Sequence, residues 1–216
     1  MMDNFGFVSY EQFTEEEIYS NSSKLPYFRY EEIKKTISVL IEKYDIKKIP
    51  LDVFGLAKKL KINLVKYSQL TEYEMNQLEE YGISRNSDGF FALVVKKGKS
   101  IPYIYYNDKK SVERIRFTIL HEIGHYILEH KQQSCLAEAE ANFFAKYLIA
   151  PPILIHRINP SDYMEIAKIF KISEECAWYA FDYYQKWLYH HINIGFNYNA
   201  YEEKILAICS VEIPEL

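Results

Sequence analysis

Cysteine is scarce in this chain, and the few present lie far apart: Cys135, Cys176 and Cys209, with no C-x-x-C pair. That distribution excludes a disulfide framework and a cysteine-ligated zinc ribbon, and it is the pattern of reduced thiols in a cytoplasmic protein. An excess of basic charge is also missing. The formal net charge is -4 and no strongly basic block interrupts the chain, which speaks against a broad nonspecific nucleic-acid footprint. No apolar run approaches the roughly 18 residues of a membrane span. The stretch Met1-Met2-Asp3-Asn4-Phe5-Gly6 lacks the basic segment and apolar core of an export signal. Neither membrane insertion nor secretion is expected. Internal repeats and low-complexity linkers are absent, so nothing points to a second fold on a tether.

What the chain does have is apolar and aromatic bulk. Its 216 residues are 49% hydrophobic and 26% charged, the balance of one globular domain with room for an appendage. The 20 Tyr and 13 Phe are read mainly as core and groove lining. Residues 1–28 are polar and aromatic, with acidic Glu15-Glu16-Glu17 and a loop-like Asn21 to Pro26, and read as an N-terminal arm. Tyr30 to Tyr44 follows a helical period, with Ile33, Ile37, Leu40 and Ile41 on one face. Pro50 is placed in the first turn of the next helix, where proline is tolerated. Ile62 to Tyr67 alternates as a strand, and Glu72 to Tyr81 reads as a short helix or loop. Phe90 to Val95 and Ile101 to Tyr106, joined through Lys97-Gly98-Lys99-Ser100, read as a hairpin. The expected fold class is α+β, a small antiparallel or mixed sheet packed on a helical half, plus a C-terminal helix pair. The expected organisation is an arm at 1–28, a main domain at 29–158 and a helical extension at 159–216.

The helical half carries His121-Glu122-Ile123-Gly124-His125, an H-E-x-x-H. A shuffled chain of this composition would show the pattern about once in fifty, so its surroundings must support it. Ser111 is a fitting N-cap and Glu113 a favourable first-turn anion. No proline occurs from Val112 to Glu129, and Phe117, Leu120, Gly124 and Leu128 recur at helical spacing. Two histidines four residues apart share one side of a helix and can grip one Zn²⁺. Glu122 points roughly 100° away from His121, placed to act on a water rather than to bind the metal. The histidines fall at the edge of the buried face, and Gly124 implies close approach of another segment.

A third ligand is expected on the next helix, Cys135 to Ile149. Glu138 and Asn142 are i and i+4 on one face, with Ala141 and Ala145 small enough for close helix packing. Glu140 lies roughly 200° from Glu138 and faces elsewhere. Glu138 is the preferred third ligand and Glu140 the alternative, while Asn142 can accept a hydrogen bond from the outer N–H of a ligand histidine. A donor to the reaction's oxyanion is not identified. Tyr126 turns away from the ligands, and His190 and His191, runners-up for that task, sit near a helix end where surface positions are expected.

The run Arg114-Ile-Arg-Phe-Thr-Ile-Leu-His-Glu-Ile-Gly-His125, with Glu138-Ala-Glu-Ala-Asn-Phe-Phe-Ala145 and Leu148-Ile-Ala-Pro151, resembles the ImmA/IrrE family of metallopeptidase-like proteins. Those proteins typically read R-x-R-F-T-x-A-H-E-x-G-H, E-x-E-A-N-x-F-A and L-L-M-P. Upstream, Pro50 to Leu64 is similar to the family's short helix leading into a first strand, and Ile104 to Asn107 to the strand before the metal helix. The resemblance covers residues 47–190 and is most specific over 114–151. It implies a zincin-like domain with Zn²⁺ on His121, His125 and Glu138, and Glu122 as general base. It also implies a setting: proteolytic removal of a helix-turn-helix repressor on a mobile element or phage, or control of a stress response. Leu120 replaces the usual small residue, and Ala150 stands where Met is common; neither is a ligand.

The expected activity is therefore zinc-dependent hydrolysis of a peptide bond in a protein substrate, a DNA-binding repressor. Its rival is a non-cleaving metal-binding regulator that binds a transcription factor. Asn159-Pro160-Ser161-Asp162 can cap a helix leading to Phe170, and Lys171-Ile172-Ser173 turns into a second helix from Glu174 to Leu188. This resembles a helix-turn-helix, but Glu174 and Glu175 at the start of the second helix would repel phosphate. Direct nucleic-acid binding is not expected.

Overall fold

The structure, a computed structural model, describes residues 5–6, 25–132 and 134–211. In chain order the elements are β1 (Phe5–Gly6), α1 (Tyr27–Lys43), β2 (Lys48–Ile49), α2 (Val53–Lys59), β3 (Asn63–Lys66), α3 (Glu72–Glu80), β4 (Gly89–Lys96) and β5 (Lys99–Tyr106). They are followed by α4 (Val112–Ile127), α5 (Cys135–Ile149), α6 (Pro152–Ile158), α7 (Tyr163–Phe170), α8 (Glu174–Asn193), α9 (Ala200–Ile208) and β6 (Ser210–Val211). The class is α+β with small sheets, as composition and periodicity imply. No helix among the described residues is long and apolar enough to cross a membrane.

The elements form two compact units. Among the described residues, one unit contains Val53–Asn142 with the described part of Met1–Pro26, and the other Tyr27–Asp52 with the described part of Phe143–Leu216. The expected arm at 1–28 lies mostly outside the described residues; Tyr27 and Phe28 already belong to α1.

The first unit is built on a mixed four-stranded sheet in the order β1-β4-β5-β3. β4 and β5 form the expected antiparallel hairpin, from Gly89 opposite Tyr106 to Lys96 opposite Lys99, while β3 runs parallel to β5. Lys97 and Gly98 both have positive φ, 52° and 73°, the backbone of a two-residue turn matched to strand twist. The start of β4 is buried on both faces. Phe90 joins a cluster with Tyr67, Met75, Leu78, Ile83 and Ala92, whereas Phe91 lies 5.5 Å from the Tyr126 ring on α4. Gly89 permits close packing of strand and helix. A Cβ there would stand 2.6 Å from the Tyr105 carbonyl oxygen and 2.8 Å from the Thr118 methyl, distances no side chain tolerates.

The second unit is helical, with a short parallel pairing of β2 and β6. α1 buries Ile33, Ile37, Leu40 and Ile41 as its period predicts. α9 packs on α1 and α6, and α8 on α6 and α7. Local boundaries differ in three places. α2 begins at Val53, so Pro50 lies before the helix rather than in its first turn. Asn159 does not cap α7; it ends α6 in a left-handed conformation, and Asp162 caps α7 instead. The strand expected over Ile62–Tyr67 shortens to Asn63–Lys66, because Tyr67 opens a 3₁₀ turn.

Candidate metal centre

The helix that presents the histidines is well founded locally. Ser111 Oγ accepts the Arg114 N–H at the N-terminus of α4, satisfying a donor the helix leaves unpaired. From Thr118 to His125 nearly every residue is buried, Ile119 and Ile123 completely so. The histidines therefore lie deeper than the edge position expected from an amphipathic stripe. α4 is covered from more than one side.

His121, His125 and Glu138 converge, with one potential ligand atom from each lying within 4.8 Å of the others. His121 Nε2 and His125 Nε2 are 3.0 Å apart. Glu138 Oε2 is 3.2 Å from His121 Nε2, and its Oε1 is 3.3 Å from His125 Nε2. The three side chains are largely sequestered, 12%, 1% and 13% exposed respectively.

Their electrostatics follow from that crowding. Burial disfavours a charged His121, but the Glu138 and Glu122 carboxylates outweigh it and raise its pKa. Burial, with the neighbouring His121, pushes His125 down to about 4 despite Glu138. Burial alone would raise Glu138, yet hydrogen bonds from the two imidazoles hold it well below the usual carboxylate range. Glu122 stands outside the converging trio. It is buried, which with the nearby Glu138 charge lifts its pKa to about 7, and its carboxylate accepts a hydrogen bond from the Phe91 backbone N–H of β4.

The other site residues named from sequence have distinct places. Asn142 is buried and contributes hydrogen bonding that favours protonated His121. His121 Nδ1 itself has no hydrogen-bond partner among the described residues, so the outer N–H that Asn142 was expected to receive is not held in good geometry. Glu140, the alternative third ligand, points to a different partner: its Oε2 is 3.0 Å from His130 Nε2. The cause is its position on α5, most of half a turn round from Glu138. His130 in turn places Nδ1 2.9 Å from His125 Nδ1. It was not identified from sequence, although a third histidine just beyond an H-E-x-x-H helix was an available signal.

Tyr126 faces Phe91, in keeping with its omission as an oxyanion donor. His190 is exposed as expected, but His191 is 2% exposed. Both its ring nitrogens are occupied, Nδ1 by the Trp187 carbonyl at 2.9 Å and Nε2 by Glu202 at 3.2 Å. It is a component of the helical unit's core.

Residues 68–181 match the family model described as Peptidase_M78, IrrE N-terminal-like domain, a span of just over half the chain that contains every residue of the cluster. No curated protein matches the chain.

Proposed function

Since the chain belongs to the IrrE N-terminal-like peptidase family, we propose that it is a zinc-dependent peptidase acting on a protein substrate. His121, His125 and Glu138 hold the metal and Glu122 is the general base. The observation that carries this reading is the spacing of the three donors, 3.0 to 3.3 Å. Nitrogen and oxygen ligands at about 2.0–2.1 Å from a tetrahedral Zn²⁺ stand roughly 3.3 Å apart. The donor types, two imidazoles and one carboxylate, suit a catalytic zinc that keeps a coordination position for chemistry.

When bound, Zn²⁺ supplies Lewis-acid polarisation of the scissile carbonyl and acidifies water. Glu122 accepts the proton of the attacking water on its carboxylate and returns it to the departing amine. The Phe91 N–H fixes the orientation of that carboxylate, and burial makes it a stronger base than an exposed glutamate. Glu138 supplies the negative charge that faces the two imidazoles.

For the substrate we take a helix-turn-helix transcriptional repressor, the setting that the family resemblance implies. The three free thiols, Cys135, Cys176 and Cys209, support a cytoplasmic place of action. Residues 160–190 offer no basic reading helix, so DNA enters as the substrate's ligand and not this protein's. Incubation of the purified protein with the repressor encoded beside it tests the reading. Cleavage should require zinc, stop with chelator and be lost in Glu122→Gln at unchanged metal content. Repressor binding without cleavage by the zinc-loaded wild type, or full activity in Glu122→Gln, overturns it in favour of a non-cleaving regulator.

A further inference from the structure

α4 ends in a turn that a three-residue metal site does not by itself require. Glu129 is left-handed, with φ 55°. The His130 N–H bonds to the His125 carbonyl at 3.0 Å and the Glu129 N–H to the Tyr126 carbonyl at 3.3 Å. Those paired bonds are a Schellman cap, usually built with glycine at the left-handed position. The turn folds the chain back and sets the His130 ring edge-on to His125, with centroids 5.0 Å apart.

Three buried groups then stand in line. His125 Nδ1 meets His130 Nδ1 at 2.9 Å, and His130 Nε2 meets Glu140 Oε2 at 3.0 Å. His130 and Glu140 are 9% and 5% exposed. Accounting for the hydrogens fixes the direction of both bonds. His125 Nε2 faces His121 and Glu138, and as a ligand it must be bare. Its hydrogen then sits on Nδ1 and is donated to His130 Nδ1, which must accept. His130 therefore carries its own hydrogen on Nε2 and donates it to the Glu140 carboxylate. The opposite assignment would require Glu140 to donate and would leave a hydrogen on the atom that is to bind metal.

We propose that His130 and Glu140 form a positioning relay that locks His125 in the metal-binding tautomer, Glu140 acting through His130 and never on the metal. The proposal rests on the zinc reading of the site. The relay makes the two histidine ligands unequal, because the corresponding nitrogen of His121 has no partner among the described residues.

Zinc affinity, measured on the full chain by competition with a chromophoric chelator, tests this without reference to activity. His130→Phe keeps a ring but removes the acceptor, and should weaken zinc binding about 10–100-fold. His130→Asn returns an acceptor oxygen near the position of Nδ1 and should recover most of the loss. Glu140→Ala should weaken binding in the wild-type background and add nothing once His130 is Phe, the non-additivity expected of groups acting in series. Circular dichroism confirms that each variant is folded. In the metal-free wild type, nitrogen-15 spectra should show scalar coupling between His125 Nδ1 and His130 Nδ1. A folded His130→Phe with wild-type affinity overturns the relay, as does an equal Glu140→Ala loss in both backgrounds or the absence of that coupling. A wild type that takes up no zinc overturns the site reading itself, a separate outcome.

Discussion

The molecule buries two histidine–carboxylate clusters, one in each unit, and they are assembled on opposite terms. In the helical unit, His191 Nδ1 meets the Trp187 carbonyl and its Nε2 meets Glu202. Glu202 also accepts the Trp187 indole N–H at 2.6 Å and the Asn199 backbone N–H at 2.9 Å. Each of these polar atoms has a partner. In the sheet-bearing unit, two imidazole nitrogens and a carboxylate converge on one another at 3.0–3.3 Å. Burial punishes an unmatched polar group and tolerates a matched one. The closed network serves the fold, and on the zinc reading the open one accommodates a cation.

The sharpest way to break this contrast is to open the closed network. Glu202→Ala leaves His191 and Trp187 buried without their acceptor and should cost about 3–5 kcal/mol. Chemical denaturation reads the loss, and zinc stoichiometry should stay at the wild-type value. Retained stability would mean that the network contributes nothing to the fold.

The reverse experiment relieves the open cluster. Burial lifts the Glu122 pKa from 4.5 to about 7, so between those values the native state holds a proton the unfolded chain has released. Stability then falls as pH rises through that window, and the deficit is complete above the folded value. Glu122→Gln removes it. In chelator at about pH 8 the variant should be more stable than wild type, by up to about 3 kcal/mol, with no difference near pH 4. Urea titration at the two pH values measures this; a less stable variant at the higher pH contradicts the burial argument.

Zinc should close the open cluster. At about 100 times its dissociation constant it should stabilise the wild type by about 2.7 kcal/mol. Thermal unfolding with and without chelator should reveal that shift and show none in Glu138→Ala. The smallest effect belongs to the cap of α4. Ser111→Ala should lower stability by about 1 kcal/mol and leave zinc stoichiometry unchanged, as measured by denaturation and metal analysis.

α4 and its successor were legible because local rules decide them. Ser111 caps, the histidines repeat at one turn, and Cys135 to Ile149 is an unbroken helical run. Wheel geometry placed Glu138 and Glu140 on different faces but gave Glu140 no partner. That partner, His130, follows a left-handed turn at Glu129, where a missing glycine hides the cap. Asn159 was assigned to the wrong end of a helix because asparagine serves both N-caps and left-handed C-caps. α9 went unread although Asn199 and Glu202 form a capping box at its start. The division into units was out of reach, since α1 joins helices that begin more than a hundred residues later.

The donor that orients Glu122 belongs to the main chain of Phe91. Genetic drift can exchange the phenylalanine for almost any other residue and the N–H stays; only proline deletes it. The aim of the proposed base is thus insulated from most of what point mutation can do at position 91. Variation there acts on packing against Tyr126, and selection can tune that contact without touching the proton's destination.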